Sequence, residues 1–449
     1  MSHSLRGALL AACVTTLAGA ALPTQAQAPT APGVIAAYTK IRGIDSVISR
    51  PAAANPRSHT AIVIMHDESN SLDNLQAPIL AARGYVVIST NARSGPDAED
   101  HDTDWDNVLR DVRTVVTYAR AMPGVTKVVL MGHSSGAPLM ASYENIAENG
   151  IKACNGPDKI VKCPDDFAGF PKADGIVLLD PIWGVSAAFL NSLDPSVTDE
   201  NNPRKLDPGL DSFSAANGFA KTGAHYSEAF KAKFWAAQAA RNKVLVDRAV
   251  ARQAAIKAGQ GKFADDEPFL IPGGTRYPKI YRPDLSLLSH TKEAHTLIKG
   301  NGSLSTEVIR SVRVPSGVEE VSQKLKDGAL ETSVNRFLHT FATRTLPGYR
   351  ITEDSISGVD WSSNYNNLMG AVPGIQIPML LIANTGHYWL VSAEMGYNLA
   401  GSKDKTIAFA EGAVHGFTPC KPCERTPGEF GDTVHHIVDY SADWLDKRF

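Results

Sequence analysis

Lys127-Val128-Val129-Leu130-Met131, then Gly132-His133-Ser134-Ser135-Gly136, then a helix-compatible run from Ala137 to Glu148: here the chain passes from an apolar strand through a sharp turn into a helix. A bare Gly-x-Ser-x-Gly recurs by chance, and it is the strand in front and the helix behind that give it meaning. The turn is so tight that a side chain two residues before or after the serine would collide with neighbouring backbone, so both positions are glycine. Strain in such a turn holds the hydroxyl clear of the sheet. Ser134 is therefore the candidate nucleophile; a merely structural turn is the competing reading.

Outward from this point apolar strands alternate with helical segments, the pattern of an α/β protein with a mostly parallel sheet. Ala61–Met65 and Gly84–Ile88 are expected strands, and Asp106 to Ala121 an amphipathic helix feeding the Ser134 strand. Ile176–Leu179, Met379–Ile382 and Thr406–Ala410 supply three more. Between the first and second of these, from about Gly184 to Pro373, the strand rhythm stops. Tyr226 to Ala258 has neither Gly nor Pro and is rich in Ala, Lys, Arg and Gln, with Phe230, Phe234 and Val244 or Leu245 near one face, so a long helix is expected. The expected division is a core of residues 33–184 and 373–449, with 185–372 as a large, mainly helical cap whose long helix serves as a lid or as a homodimer interface.

The chain has 449 residues, 43% of them hydrophobic, enough for a large core and more than one structural unit. Its net charge of −3 provides no basic field, so nucleic acid is not an expected partner. Residues 1–28 show one positive charge at Arg6, an uncharged stretch from Gly7 to Pro23 and the small-residue site Ala26-Gln27-Ala28, the pattern of a removable secretory signal. Leu10-Ala11-Ala12-Cys13 also fits a lipid-attachment box, but the apolar run continues past Cys13. Secretion or a periplasmic location follows, with no membrane-spanning segment expected. Four cysteines then remain as two local pairs, Cys154 with Cys163 and Cys420 with Cys423, and two disulfides are expected although sequence permits three connectivities. Cys420-Lys421-Pro422-Cys423 has no thioredoxin-like context and no second metal-ligand pair nearby, which favours a structural clip.

The order of these features resembles the α/β-hydrolase fold serine hydrolases of the esterase and lipase type, at both ends of the chain but not over the insertion. That resemblance implies a nucleophile, an acid and a histidine, in this order, each at the C-terminal end of its strand. His415, in Glu411-Gly412-Ala413-Val414-His415-Gly416-Phe417 after the last strand, then takes the general-base position, with His387 as second choice. His435 and His436 lie within the expected C-terminal helix Thr433 to Leu445 and are surface or interface residues. The acid must hold the imidazole in one tautomer from the same sheet edge. Asp180 ends the strand Ile176–Leu179 at that edge, whereas Asp174 and Asp404 precede their strands. In most members the acid follows the next strand, but Ala383-Asn384-Thr385-Gly386-His387 has no carboxylate before Glu394, the alternative acid. The Asp180 placement resembles platelet-activating-factor acetylhydrolases, with dienelactone-hydrolase-like members also similar; a plain turn cap before Pro181 is the other reading of Asp180.

An oxyanion hole needs donors already in place: the backbone N–H of Ser135, and a second from His66-Asp67-Glu68, where the family commonly has a glycine, so the donor is the amide of Asp67 or of Glu68. No metal and no cofactor is expected, since neither H-E-x-x-H nor a phosphate-binding loop is present, and the acidic run Asp97 to Asp106 reads as a solvated loop. The expected activity is cleavage of a small to medium-sized apolar or aromatic ester. Peptidase or acyltransferase chemistry and a non-catalytic binding protein remain alternatives. Trp183, Tyr388 and Trp389 stand beside the expected strand mouths, either lining a pocket or filling the core.

Overall fold

Strands that are buried on both faces read as continuous apolar runs, because helices cover the sheet from either side. The computed structural model describes residues 31–94, 103–220, 222–274, 279–315 and 328–449. Its first strands are β1 (Val34–Ile41), β2 (Ile44–Pro51), β3 (Thr60–His66), β4 (Val86–Asn91), β5 (Lys127–His133) and β6 (Gly175–Leu179). Within the insertion lie β7 (Phe219–Ala220), β8 (Gly223–Ala224), β9 (Pro268–Pro272), β10 (His290–Ile298), β11 (Leu304–Arg310), β12 (Ala329–Ser333), β13 (Arg344–Ile351) and β14 (Ile356–Asp360). β15 (Met379–Asn384) and β16 (Lys405–Ala410) follow it. One ten-stranded sheet runs in the order β1-β2-β4-β3-β5-β6-β15-β16-β10-β11. From β4 to β10 all neighbours are parallel, while β1, β2 and β11 pair antiparallel at the two edges.

Alternate side chains divide between two cores, as the two-residue period of a strand requires. Ala61, Val63 and Met65 of β3 face the same side as Val128, Leu130, Ile176 and Leu178. Ile62, Ile64, Val129, Met131, Val177 and Leu179 face the other, against Leu80 and the C-terminal Ile437, Val438, Trp444 and Leu445. The main helices are α1 (Gln76–Ala82), α2 (Trp105–Ala121), α3 (Gly136–Asn149), α4 (Val185–Ser192), α5 (Glu228–Lys257), α6 (Leu390–Leu399) and α7 (Thr433–Asp446). α2 buries Val108, Leu109, Val112, Val115, Val116 and Ala119, and its start is fixed by Asp104, which accepts from the Asn107 N–H at 3.1 Å. A cap of this kind contributes about 1 kcal/mol. The acidic run is thus not wholly a solvated loop: Asp106 accepts from the Tyr365 hydroxyl at 2.7 Å. Its first residues, 97–102, lie outside the described residues.

On α3, buried Glu144 accepts from the Ala173 N–H at 2.9 Å, and burial pushes its carboxyl up to about 8 from a usual value of 4.5. Between those two values the unfolded chain has lost a proton that the folded protein keeps, so this group makes stability fall as pH rises from about 4.5 to 8. Glu144→Gln keeps the acceptor and cannot ionise. It is expected to melt like the parent near pH 4 and to be more stable at pH 8 by roughly 2–4 kcal/mol. Equal melting curves at both pH values would contradict this.

The insertion differs from the expected mainly helical cap. Residues 290–310 belong to the core sheet: β10 lies parallel to β16, with Thr296 opposite Ala408, and β11 forms the edge. Their signal is weak because an edge hairpin is half exposed, and His290–Ile298 interleaves Lys292, Glu293 and His295 with its apolar residues. The rest of the insertion is mixed, pairing β9 with β12, β13 with β14 and β7 with β8 around α5. α5 turns Phe230, Phe234, Trp235, Leu245, Val246 and Ala249 inward. Of the two residues considered for its apolar face, Leu245 is buried and Val244 exposed.

Cys154 is bonded to Cys163, and Cys420 to Cys423. No helix among the described residues is long and apolar enough to cross a membrane. The expected signal segment, residues 1–28, lies outside the described residues.

Candidate active site

Four adjacent strands, β5, β6, β15 and β16, end at one edge of the sheet, and the residues that follow them meet there. After β5, Ser134 adopts φ = 55° while its N–H donates to the Leu179 carbonyl at 3.0 Å. For a residue with a side chain this left-handed backbone costs about 1–3 kcal/mol. The flanking glycines are explained by close approach. A Cβ on Gly132 would stand 2.2 Å from the Gly136 carbonyl oxygen, and one on Gly136 would stand 2.6 Å from that of Met65.

His415, in the turn after β16, has Nε2 at 2.8 Å from Ser134 Oγ and Nδ1 at 2.5 Å from Asp180 Oδ2. These separations lie in the range needed for proton transfer between nucleophile and base. Asp180 follows β6, is fully buried, and also has positive φ, 41°. Its Oδ1 accepts from the Asn384 N–H at 3.0 Å, and its backbone N–H donates to the Ile382 carbonyl at 2.6 Å, so β15 holds Asp180 by its backbone and by one carboxylate oxygen. Burial would push this carboxyl up, but the adjacent His387 and His415 imidazoles outweigh burial and hold it well below the usual carboxylate range. Ser134, His415 and Asp180 are therefore brought together.

Glu394 is not. It lies buried on α6, where it accepts from His295 Nε2 at 2.8 Å and from the Lys292 and Glu293 N–H groups at 2.8 and 2.9 Å. This carboxylate anchors β10 to α6. His435 is bonded to Asp432 at the exposed start of α7, away from Ser134. His387 stands apart from Ser134 in role but not in place: its Nδ1 is 3.2 Å from Asp180 Oδ2 and its ring stacks on that of His415, centroids 4.6 Å apart. Burial, then the neighbouring His415, lowers its pKa to about 4. Asp180, His387 and His415 offer ligand atoms within 4.8 Å of one another, a spacing a metal ion could use, and of the two imidazole nitrogens only His415 Nδ1 is hydrogen-bonded to Asp180 Oδ2.

Two further histidines complete the surroundings. Half-buried His133, held well below its usual pKa by desolvation and by His415 and His66, is neutral and donates from Nε2 to the His415 carbonyl at 2.9 Å. His66 Nδ1 accepts from the Glu68 and Ser69 N–H groups at 3.1 and 2.9 Å, and its Nε2 lies 3.0 Å from Ser135 Oγ, which also donates to Asp67. The loop that lacks glycine is thus shaped by a histidine side chain. Of the two amides considered as second oxyanion donor, that of Glu68 points at His66.

Trp183, Tyr388 and Trp389 are buried with Tyr281 in an edge-to-face cluster, with centroids 5.2 Å apart for Trp183 and Trp389 and 5.1 Å for Tyr281 and Tyr388. The insertion closes on it: the Val312 N–H donates to the Thr385 carbonyl at 2.8 Å, and the Arg313 guanidinium lies 5.3 Å from the Tyr388 ring centre. Two open clefts of about 420 and 410 Å³ lie elsewhere, at Arg93, Asp104 and Arg336 and at Asp106, Gln253 and His339. Both are lined mainly by polar and charged side chains.

From sequence, His415 and Asp180 could be found because each follows a strand. The roles of His387, His133 and His66 depend on which strands are neighbours, and only the position of His387 in the loop after β15 hinted at one.

Residues 62–395 match the model of the alpha/beta hydrolase family, and the chain belongs to that family. The match is to the family at large and does not favour its platelet-activating-factor acetylhydrolase or dienelactone hydrolase branches. Among solved structures the chain is similar to DcsB in complex with its substrate analogue, at 13% identity and TM-score 0.41 over 92% of this chain and 98% of that one. It is similar also to a hormone-sensitive lipase from a metagenome library (12%, 0.41, 94% and 88%) and to proline iminopeptidase from Mycobacterium smegmatis (12%, 0.40, 92% and 98%). At such identities the likeness concerns the fold alone. No curated protein matches the chain in sequence.

Proposed function

We propose that the protein is an exported serine hydrolase that cleaves carboxylic esters through an acyl-Ser134 intermediate. The observation that carries this reading is the unbroken line from Ser134 Oγ through His415 to Asp180, with hydrogen bonds of 2.8 and 2.5 Å. His415 Nε2 takes the Ser134 proton as Oγ bonds to the ester carbonyl carbon, and returns it to the departing alkoxide as the C–O bond breaks. Water, deprotonated by the same nitrogen, then attacks the acyl-enzyme and releases the acid and free Ser134. Asp180 stays ionised, holds the Nδ1–H tautomer and stabilises the imidazolium. The oxyanion is received by the Ser135 N–H at the start of α3 and by the Asp67 N–H, since the Glu68 N–H serves His66.

The buried aromatic cluster and the insertion packed on it support an apolar or aromatic ester of small to medium size. The test is pre-steady-state hydrolysis of a series of p-nitrophenyl and aryl esters. A burst of phenolate equal to the enzyme concentration is expected where deacylation is slower than acylation, with hydroxylamine trapping the acyl group as a hydroxamate. A series without hydrolysis, and no trapped acyl group, would count against the reading.

A further inference from the structure

The loop after β15 carries His387, and this histidine stands beside the Asp180 carboxylate that follows β6. Asp180 Oδ2 has two imidazole neighbours, His415 Nδ1 at 2.5 Å and His387 Nδ1 at 3.2 Å, while Oδ1 is taken by the Asn384 N–H. The His387 and His415 rings are nearly parallel, 23° between planes, and His387 stacks on Tyr388 at 4.0 Å. Its backbone is fixed as well, because the His387 carbonyl accepts from Ser311 Oγ at 2.9 Å. A ring held in this way presents Nδ1 to Asp180 Oδ2 at 3.2 Å, off the hydrogen-bonding line, and a small rotation of the ring brings an Nδ1–H onto the carboxylate.

We propose that His387 is a positioning residue for the triad: as a neutral Nδ1–H tautomer it donates a second hydrogen bond to Asp180 Oδ2 and tempers the basicity that His415 feels. This inference rests on the triad reading above. Its consequence is electrostatic. A carboxylate with two donors on one oxygen and one on the other attracts the His415 proton less strongly than a carboxylate with one donor fewer, so less free energy is needed to return that proton to the leaving group. Burial keeps His387 neutral through the working range, so it adds a dipole without adding a competing charge. The other titratable and charged groups around His415 and His387 are half-buried His133 on β5, His66 behind it on β3, Tyr388, whose ring stacks on His387, and Arg313 of the insertion, whose guanidinium lies over Tyr388. All of these side chains are retained in the variants below.

Two variants separate donation from packing. His387→Phe keeps a stacked ring and loses the donor; His387→Asn puts an amide N–H where the ring Nδ1–H stands and loses the ring. The readout is the second-order rate of inactivation by a fluorophosphonate against pH, which needs no knowledge of the substrate. In His387→Phe the acid limb, set by His415, is expected to move up by roughly 0.5–1 pH unit, and ester kcat to fall about 10-fold with little change in KM. His387→Asn is expected to keep the parent limb. An unmoved limb in folded His387→Phe overturns the proposal, whatever the Asn variant does. Should His387→Phe fail to fold, ¹⁵N-histidine NMR of the parent, with the His387 signals assigned from the Asn variant, decides: an Nδ1–H tautomer at His387 supports the proposal and an Nε2–H tautomer overturns it. A parent protein that is not inactivated at any pH would instead refute the triad reading beneath.

Discussion

Asp180→Asn is expected to lower kcat for ester hydrolysis by about 10⁴-fold while the protein stays folded. The carboxylate receives His415 Nδ1 at 2.5 Å and the Asn384 N–H at 3.0 Å, and an amide can satisfy only one of these from its oxygen. With the amide oxygen kept on Asn384 N–H, its NH₂ faces His415 Nδ1, favouring the tautomer that carries its proton on Nε2. That imidazole cannot accept from Ser134 Oγ. Because its pKa is depressed, Asp180 stabilises the fold above the ordinary carboxylate range and loses this contribution only as pH falls below it. Asn forgoes that term as well, so a lower melting temperature at neutral pH accompanies the loss of activity. Glu394→Gln is the paired control. Glu394 serves His295 and two backbone amides of β10, so its replacement is expected to lower stability and spare most of kcat. The reverse result, an active Asp180→Asn beside an inactive Glu394→Gln, would transfer the acid role to Glu394.

Removal of the nucleophile should have the larger effect. Ser134→Ala is expected to lower kcat by about 10⁴- to 10⁶-fold on any ester the parent cleaves, with binding of a product acid nearly unchanged. Loss of the acyl intermediate is the reason, and removing His415 as well should cost little more, because the two act as a unit. Stability provides a second readout at the same position. With φ = 55°, Ser134 sits in backbone that glycine accepts freely. Ser134→Gly is therefore expected to be as inactive as Ser134→Ala yet to melt higher, by about 1 kcal/mol. A less stable Ser134→Gly would mean that the turn is not strained, and substantial activity in either variant would remove Ser134 from the chemistry.

How far the sequence foretells the structure depends on where each residue lies in the sheet. β3, β5, β6, β15 and β16 are covered on both faces, so each is an apolar run bounded by turn residues and can be read directly. β1, β10 and β11 lie at or near the sheet edges, where exposed Tyr38, Leu304 and Val308 alternate with polar neighbours and the period is diluted. Inside the insertion, β9 begins and ends with proline and β13 carries Pro347, features that hide a strand. The site follows the same rule. Ser134, Asp180 and His415 each follow a readable strand, so their edge could be argued without coordinates. That Glu394 is committed elsewhere, and that His66 shapes a loop without glycine, depends on residues far apart in the chain meeting across neighbouring elements. Local pattern holds no record of such meetings.

The most direct test of the account is peptide mass spectrometry of the folded protein after brief exposure to a fluorophosphonate, which reacts with a serine only where a base and an oxyanion hole activate it. One adduct is expected, on Ser134, and none in His415→Ala. An unmodified Ser134 in folded protein, or an adduct on another serine, would contradict it.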